Sequence, residues 1–227
     1  MEAFAAIWAR AAERKGGADA LEALIAQHPT KSVQALAAAP DAEWLRAMTR
    51  GVFNAGMSWK VVAAKWPAFE TAFHNFDPPL NAAMSEEEFD AHLKNASIIR
   101  NGRKVASVRD NARLLVELAR EHGSASRFFA VWPDEDYVGL VEYLGSRGAG
   151  LGPTVATWTL RVMGKPAFIL SRDVIAALIA AGVLDRPPSG KRDLRAVQDA
   201  FNVWARESGR DLTSISRVLA MSTGPER

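Results

Sequence analysis

Stretches of helical apolar period follow one another along this chain, and proline or glycine stops nearly every one of them. Gly16-Gly17, Pro29, Pro40, Gly56, Pro67, Pro78-Pro79, Gly123, Pro133, Pro166, Gly182 and Pro187-Pro188 punctuate the 227 residues. A helix cannot run through such stops unaltered, because proline lacks a backbone N–H and glycine is the costliest ordinary residue to hold in a helix. The pattern predicts an all-α protein of about a dozen short helices, neither a coiled coil nor a helical repeat. Only Ala167 to Leu170 looks strand-like, and it is too short to carry a sheet. Abundant alanine supports the helical reading.

Local signals set the expected boundaries. Asp41 is placed to cap a helix running through Trp44, Leu45, Met48 and Val52. Ser58 caps a helix from Trp59 to Lys65 that stops at Pro67. A further helix, Ala68 to Asn75, is closed by Asp77-Pro78-Pro79. Ser85-Glu86-Glu87-Glu88 reads as a capping box. Val105 to Glu121 is the longest helix of this half. Asp136 to Ser146 leads into a glycine turn, Thr154 to Met163 leaves it, and Arg172 to Ala181 follows.

Several function classes drop out. The chain has no cysteine, so it has no disulfide and no thiolate metal site. His28, His74, His92 and His122 are scattered, and no pair has a metal-ligand spacing. No metal or cofactor is expected, and no nucleophile elbow, phosphate-binding Walker loop or dinucleotide fingerprint is present. No apolar run is long enough to span a bilayer and none reads as a signal peptide, which makes a cytoplasmic monomer the expectation. Lys and Arg number 28 against 26 Asp and Glu, a net charge of +2, so a nucleic-acid partner requires local clustering of positive charge.

Three clusters carry possible chemistry. Phe53-Asn54-Ala55-Gly56-Met57-Ser58-Trp59 sets two aromatics and an amide around a glycine turn. A tryptophan stacks on nucleobases and an amide reads a base edge, although Phe53 and Trp59 also suit core positions flanking a helix break. Residues 94–113 hold six Lys or Arg and one acid, Asp110. Arg100, Arg103 and Lys104 surround the turn Asn101-Gly102, a layout suited to phosphate contact or to a solvated charged face. Gly148, Gly150 and Gly152 alternate ahead of Pro153 and deliver the chain into a helix N-terminus. Such an end offers free N–H groups to an anion, and the same glycines would equally let two helices pack closely. Ser171-Arg172-Asp173 then opens a helix, with Asp173 the obvious carboxylate or simply part of a helix cap.

Ala55-Gly56-Met57-Ser58-Trp59, the run Ala72-Phe73 through Phe76-Asp77-Pro78, Ile98 to Lys104, and Asp110 to Arg113 together resemble the 3-methyladenine DNA glycosylase I family. The second half resembles the wider helix-hairpin-helix glycosylase superfamily, with Gly150-Leu151-Gly152 as the hairpin. The resemblance implies two helical lobes, 45–163 and 1–44 with 164–227, and a groove between them. It implies a monofunctional enzyme of base excision repair that grips double-stranded DNA, flips out an alkylated purine such as 3-methyladenine and hydrolyses its N-glycosidic bond. Trp59, Phe53 and Asn54 would form the base pocket. Gly148, Gly150, Gly152, Thr154, Arg100, Arg103 and Lys104 would hold DNA.

The departures bear on catalysis. The family's glutamate, eight residues before the tryptophan, is Gly51 here. The superfamily's aspartate position is Ser171, with Asp173 two residues on, and the lyase lysine is Thr154. Asp173 or Glu43 would have to serve as the catalytic carboxylate. The alternative is a DNA-binding relative with impaired catalysis.

Overall fold

The computed structural model describes residues 1–224 and is all-helical, with no strand among them. Fourteen α-helices run in order: α1 (Phe4–Arg14), α2 (Ala18–Ala26), α3 (Val33–Ala37), α4 (Asp41–Asn54), α5 (Trp59–Ala72), α6 (Pro78–Ala82), α7 (Glu86–Lys94), α8 (Gly102–His122), α9 (Ala125–Val131), α10 (Tyr137–Arg147), α11 (Pro153–Met163), α12 (Arg172–Ala180), α13 (Lys191–Ser208) and α14 (Leu212–Ser222). No helix is long and apolar enough to cross a membrane among the described residues. Two compact units form: residues 1–30, 133–139 and 166–224 in one, and 31–132 with 140–165 in the other.

In the first unit, Phe168 stacks on Phe201 at 4.3 Å and Trp204 meets Phe201 edge-on at 5.7 Å. The strand-like segment at 167–170 finds its hydrogen bonds without a sheet. Ala167 N–H donates to Thr213 Oγ1, Ile169 N–H to Ser216 Oγ, and Phe168 C=O accepts from Tyr137 Oη. Hydroxyls on α14 thus replace a neighbouring strand, which satisfies buried backbone groups as the interior requires.

The second unit is built on an aromatic column. Trp66, Phe69, Phe73 and Phe76 lie nearly parallel, with centroids 5.3 to 6.2 Å apart, and Phe53 meets Phe69 edge-on at 4.6 Å. This column explains two departures from the expected boundaries. Pro67 does not end its helix, because α5 continues through it to Ala72. An interior proline costs about 3 kcal/mol, and burial of Trp66 and Phe69 on either side offsets it. Next, His74, Asn75 and Phe76 have φ of +50°, +52° and +62°, a left-handed turn in three non-glycine residues. Such backbone is unfavourable by about 1–2 kcal/mol per residue, and the buried Phe76 ring holds it in place. Pro78 then starts α6 instead of closing a helix, with the Asp77 carboxylate accepting from Leu80 N–H.

Capping also differs in detail. Ser85 caps α7 as expected. Ser58 precedes α5 but makes no side-chain cap. Asp41 does not cap α4: its carboxylate accepts from Ala125 and Ser126 N–H at 2.9 and 2.8 Å, so it caps α9. This tertiary cap, with Lys31 N–H donating to Gly164 C=O, ties residues 31–44 into the second unit.

Candidate functional site

Helices α4 and α11 pack closely in the second unit because Gly51 has no side chain. A Cβ at Gly51 would lie 2.9 Å from Val155 Cγ1 and 3.5 Å from Thr159 Oγ1. Beside this contact opens a cavity of about 650 Å3. From α4 come Ala47, Arg50, Gly51 and Asn54, spaced three and four apart so that one helical face lines it, with Ala55 following. The opening residue of α5 supplies Trp59, and α11 supplies Thr154, Val155, Trp158, Thr159 and Val162.

The lining is apolar and open, with a small polar set. Trp59 is 66% exposed, Trp158 50% and Val162 67%, a cluster of large apolar side chains at one concave place. That combination marks binding surfaces more often than folding cores. Asn54 Oδ1 and Thr159 Oγ1 are buried without a hydrogen-bond partner. Leaving such a group unpaired costs about 1–3 kcal/mol. Arg50 is the only charged lining residue among those described, and its guanidinium lies 5.1 Å from the Trp66 ring centroid. Among the described residues, no carboxylate lines the cavity.

The glycine turn between α10 and α11 stands next to this cavity in the same unit. A Cβ at Gly148 would lie 2.4 Å from Leu151 Cδ1 and 2.8 Å from Leu144 C=O. Gly150 has φ +73°, and its Cβ would lie 3.2 Å from Val52 Cγ2. Both positions are therefore packing positions as well as turn positions. Gly152 has open space around it and precedes Pro153 at the start of α11. The buried Asn111 holds the turn from α8, exchanging two hydrogen bonds with Ala149 at 2.8 and 3.0 Å.

The structure separates the sequence candidates. Trp59, Asn54 and Thr154 line the cavity together. Phe53 does not: it is fully buried against Phe69, with the Lys104 ammonium 5.9 Å from its ring centroid. Arg100 and Arg103 are exposed. Lys104 is occupied otherwise, donating to the carbonyls of Val52, Phe53 and Ala55 at 2.9, 3.2 and 2.6 Å. All three ammonium donors are spent on the C-terminal end of α4, and burial lowers its pKa. The basic run thins further, since Arg109 pairs with Glu86 at 2.6 Å and Arg113 donates to Ala82 C=O. Glu43, on the first turn of α4, is ion-paired to Arg46. Asp173 belongs to the first unit, in the opening turn of α12, where Ser171 accepts from Val174 N–H as the cap. No metal-binding cluster exists among the described residues.

Arg50, Trp158, Thr159 and Val162 were not singled out from the sequence. The signal was faint: Trp158 and Val162 are a helical turn apart on α11, but only the packing of α4 against α11 brings them to Gly51 and Trp59.

These features define an all-helical protein with an aromatic-lined pocket set beside a glycine turn that opens a helix. Residues 37–139 match the methyladenine glycosylase family model. The chain is similar to DNA-3-methyladenine glycosylase 1 of Escherichia coli, 38% identical over 65 residues, which is 29% of this chain and 35% of the relative. It is 33% identical over 67 residues to DNA-3-methyladenine glycosylase of Haemophilus influenzae, 30% of this chain and 36% of that one. The matches thus span about a third of those relatives' own length. Among solved structures, a crystal structure of 3-methyladenine DNA glycosylase I is 25% identical with a TM-score of 0.47, covering 60% of this chain and 81% of that one. That of 3-methyladenine DNA glycosylase I from Staphylococcus aureus, described with 3-methyladenine recognition, is 21% identical with a TM-score of 0.47, covering 60% and 78%. Helix α11, one wall of the pocket, lies outside the family-matched segment.

Proposed function

We propose that this protein is a monofunctional DNA glycosylase of base excision repair that flips an alkylated purine out of duplex DNA and hydrolyses its N-glycosidic bond. The observation that carries the reading is the pocket itself, with exposed Trp59 and Trp158 at its rim and Asn54 and Thr159 among its lining. Bases inside a duplex are out of reach, so an enzyme acting on one must extrude it into such a pocket and hold it by stacking and edge hydrogen bonds. Each aromatic stack is worth about 1–3 kcal/mol. Arg100 and Arg103 would meet DNA phosphates, as would the free N–H groups beyond Gly152 at the α11 N-terminus, with Thr154 at the junction of turn and pocket.

In the hydrolysis, water adds to C1′, the C1′–N bond breaks and its electron pair leaves with the base. A base destabilised by alkylation needs mainly to be bound, oriented and desolvated. Asp173 is the side chain we assign to water activation. Glu43 is the weaker candidate, because it is ion-paired to Arg46, which also pairs with Glu70.

A second reading, a DNA-binding relative with impaired catalysis, is favoured by one observation: Gly51 and its neighbours leave the pocket without a carboxylate. Incubation with alkylated duplex and chromatography of the released bases separates the two. Release proportional to protein supports the enzyme, and its loss in Asp173→Asn supports the assignment. Salt-dependent binding with no base released supports the second reading.

A further inference from the structure

We infer that Arg50 and Lys60 form a phosphate clamp at the mouth of the pocket, holding the two phosphodiesters that flank an extruded nucleotide. The inference rests on the reading that the pocket receives a base. Its ground is which cations near the pocket remain free to take an anion. On α4, Arg46 pairs with both Glu43 and Glu70. Arg50, one turn further along, is exposed and makes no ion pair among the described residues. Lys60, which follows Trp59 at the opening of α5, is likewise exposed and unpaired among them. Other cations of this unit are engaged. Lys104 donates to three carbonyls at the end of α4, Lys65 donates to the carbonyls of Ala96 and Ser97, and Arg109 pairs with Glu86.

The two free cations are held by aromatic rings in place of carboxylates. The Arg50 guanidinium lies 5.1 Å from the Trp66 ring centroid and the Lys60 ammonium 5.9 Å from that of Trp59. A ring face attracts a cation without cancelling its charge. Trp66 is buried and fixed in the aromatic column, so it sets where the guanidinium stands. That guanidinium keeps its five N–H donors, a fork that matches two phosphate oxygens, and the ammonium keeps its three. Among the described residues, no carboxylate on the lining repels an anion.

The arrangement fits a nucleotide within a strand. Exposed Trp59 and Trp158 suit a flat base, and the positive charge stands at Arg50 on the lining and at Lys60 beside Trp59. A base drawn into the cavity brings its sugar to the mouth, and with it the phosphates on its 5′ and 3′ sides. In an unopened duplex those phosphates stay outside. Arg50 and Lys60 therefore act on the extruded state: they add to lesion binding and little to the binding of undamaged DNA. This separates them from Arg100 and Arg103, whose phosphate contacts would be indifferent to damage. They grip the backbone and take no part in the bond-breaking step.

The test measures, by fluorescence anisotropy, the affinity of the full chain for an undamaged duplex and for one bearing a single 3-deaza-3-methyladenine. Carbon in place of the alkylated ring nitrogen keeps the glycosidic bond of that analogue intact. The lesion duplex is also made with a neutral methylphosphonate replacing the phosphate on the 5′ or the 3′ side of the lesion. The wild type should prefer the lesion duplex, and each methylphosphonate should weaken that binding about tenfold, as loss of a charge-assisted contact does. Arg50→Gln and Lys60→Met should each weaken lesion binding by a similar factor and leave undamaged binding within about twofold. One methylphosphonate should lose its effect in Arg50→Gln and the other in Lys60→Met, the coupling that direct contact produces. Arg50→Lys, which keeps the charge, should restore part of the binding. Both residues are exposed, and circular dichroism checks that the variants fold. Full effects of both methylphosphonates in either variant, or equal losses on lesion and undamaged duplex, overturn the inference, while the wild type's preference for the lesion keeps the base-pocket reading. Equal wild-type affinity for the two duplexes overturns both.

Discussion

The Asn111 carboxamide closes on both polar groups of Ala149: its Oδ1 accepts the Ala149 N–H at 2.8 Å and its Nδ2 donates to the Ala149 C=O at 3.0 Å. A side chain on α8 thereby reads out one residue of the glycine turn as a β-strand neighbour would. Asn111→Leu removes both bonds and leaves half-buried backbone groups unpaired. The expected loss is about 2–3 kcal/mol of unfolding free energy, measured by urea titration. Asn111→Asp keeps the acceptor alone and should fall between. Under the proposed function, both variants also lose DNA affinity while still folded, because the turn that opens α11 is no longer held.

Trp59 provides the opposite case. Being 66% exposed, it contributes little to folding, and Trp59→Ala should change stability by less than about 0.5 kcal/mol. If it carries the base stack, the same change weakens lesion binding by about 1–3 kcal/mol, roughly five- to 150-fold, read by fluorescence titration with lesion-bearing duplex. A loss of stability in place of affinity would return Trp59 to an ordinary packing role.

Lys104 and Arg103 are chain neighbours with different expected phenotypes. Lys104→Met takes a charged donor from three carbonyls at the end of α4, which should cost about 1–3 kcal/mol of stability. Because its ammonium is engaged, the salt dependence of DNA binding should hardly change. Arg103→Ala should leave stability nearly unaltered and lower the slope of log affinity against log salt by about one, as loss of one phosphate contact does.

The contrast between these two residues shows what was legible in the sequence. Local rules were readable: the all-α class, the Ser85 cap, Pro153 at the start of α11, and the pairing of Asn54 with Trp59 around Gly56. Rules that depend on distant partners were not. Asp41 looks like the cap of its own helix and caps α9, because a carboxylate reaches whichever free N–H groups the tertiary fold presents. Pro67 looks like a stop and is carried through by the aromatic column. Lys104 reads as one more positive charge until its carbonyl partners are in place. Phe53 and Trp59 have the same aromatic character and opposite burial, decided by packing against Phe69. Arg50 was missed because only the packing of α4 against α11 brings it to the pocket.

His92 predicts an acid sensitivity of the second unit. Burial among apolar neighbours lowers its pKa from 6.5, outweighing the pull of Glu88, and the nearby His74 adds to the lowering. The unfolded chain therefore takes up a proton at higher pH than the folded one. Stability is at its full value above about pH 6.5 and falls as the pH drops from there towards the lowered folded pKa. His92→Phe, which keeps a ring beside Phe73, should flatten that part of the curve. The check is urea unfolding of both proteins between pH 7.5 and about pH 5, and parallel curves would remove His92 as the cause.

Gly51 is the position where stability and selectivity should trade most visibly. Gly51→Glu gains helix propensity, up to about 1 kcal/mol, but sets its Cβ 2.9 Å from Val155 Cγ1. Overpacking of this kind costs about 1–3 kcal/mol, so the single variant should be less stable than the wild type. Adding Val155→Ala removes the obstructing methyl groups, and the double variant should recover stability relative to Gly51→Glu alone; thermal melts of all three proteins measure this. The double variant also places a carboxylate on the same helical face as Arg50 and offsets its charge. Under the proposed function, affinity should then move further towards purines made cationic by alkylation at ring nitrogen. If the double variant stays as unstable as the single one, the contact between α4 and α11 is not limited by Val155. If it is stable and its preference is unmoved, the pocket's charge does not set which base it takes.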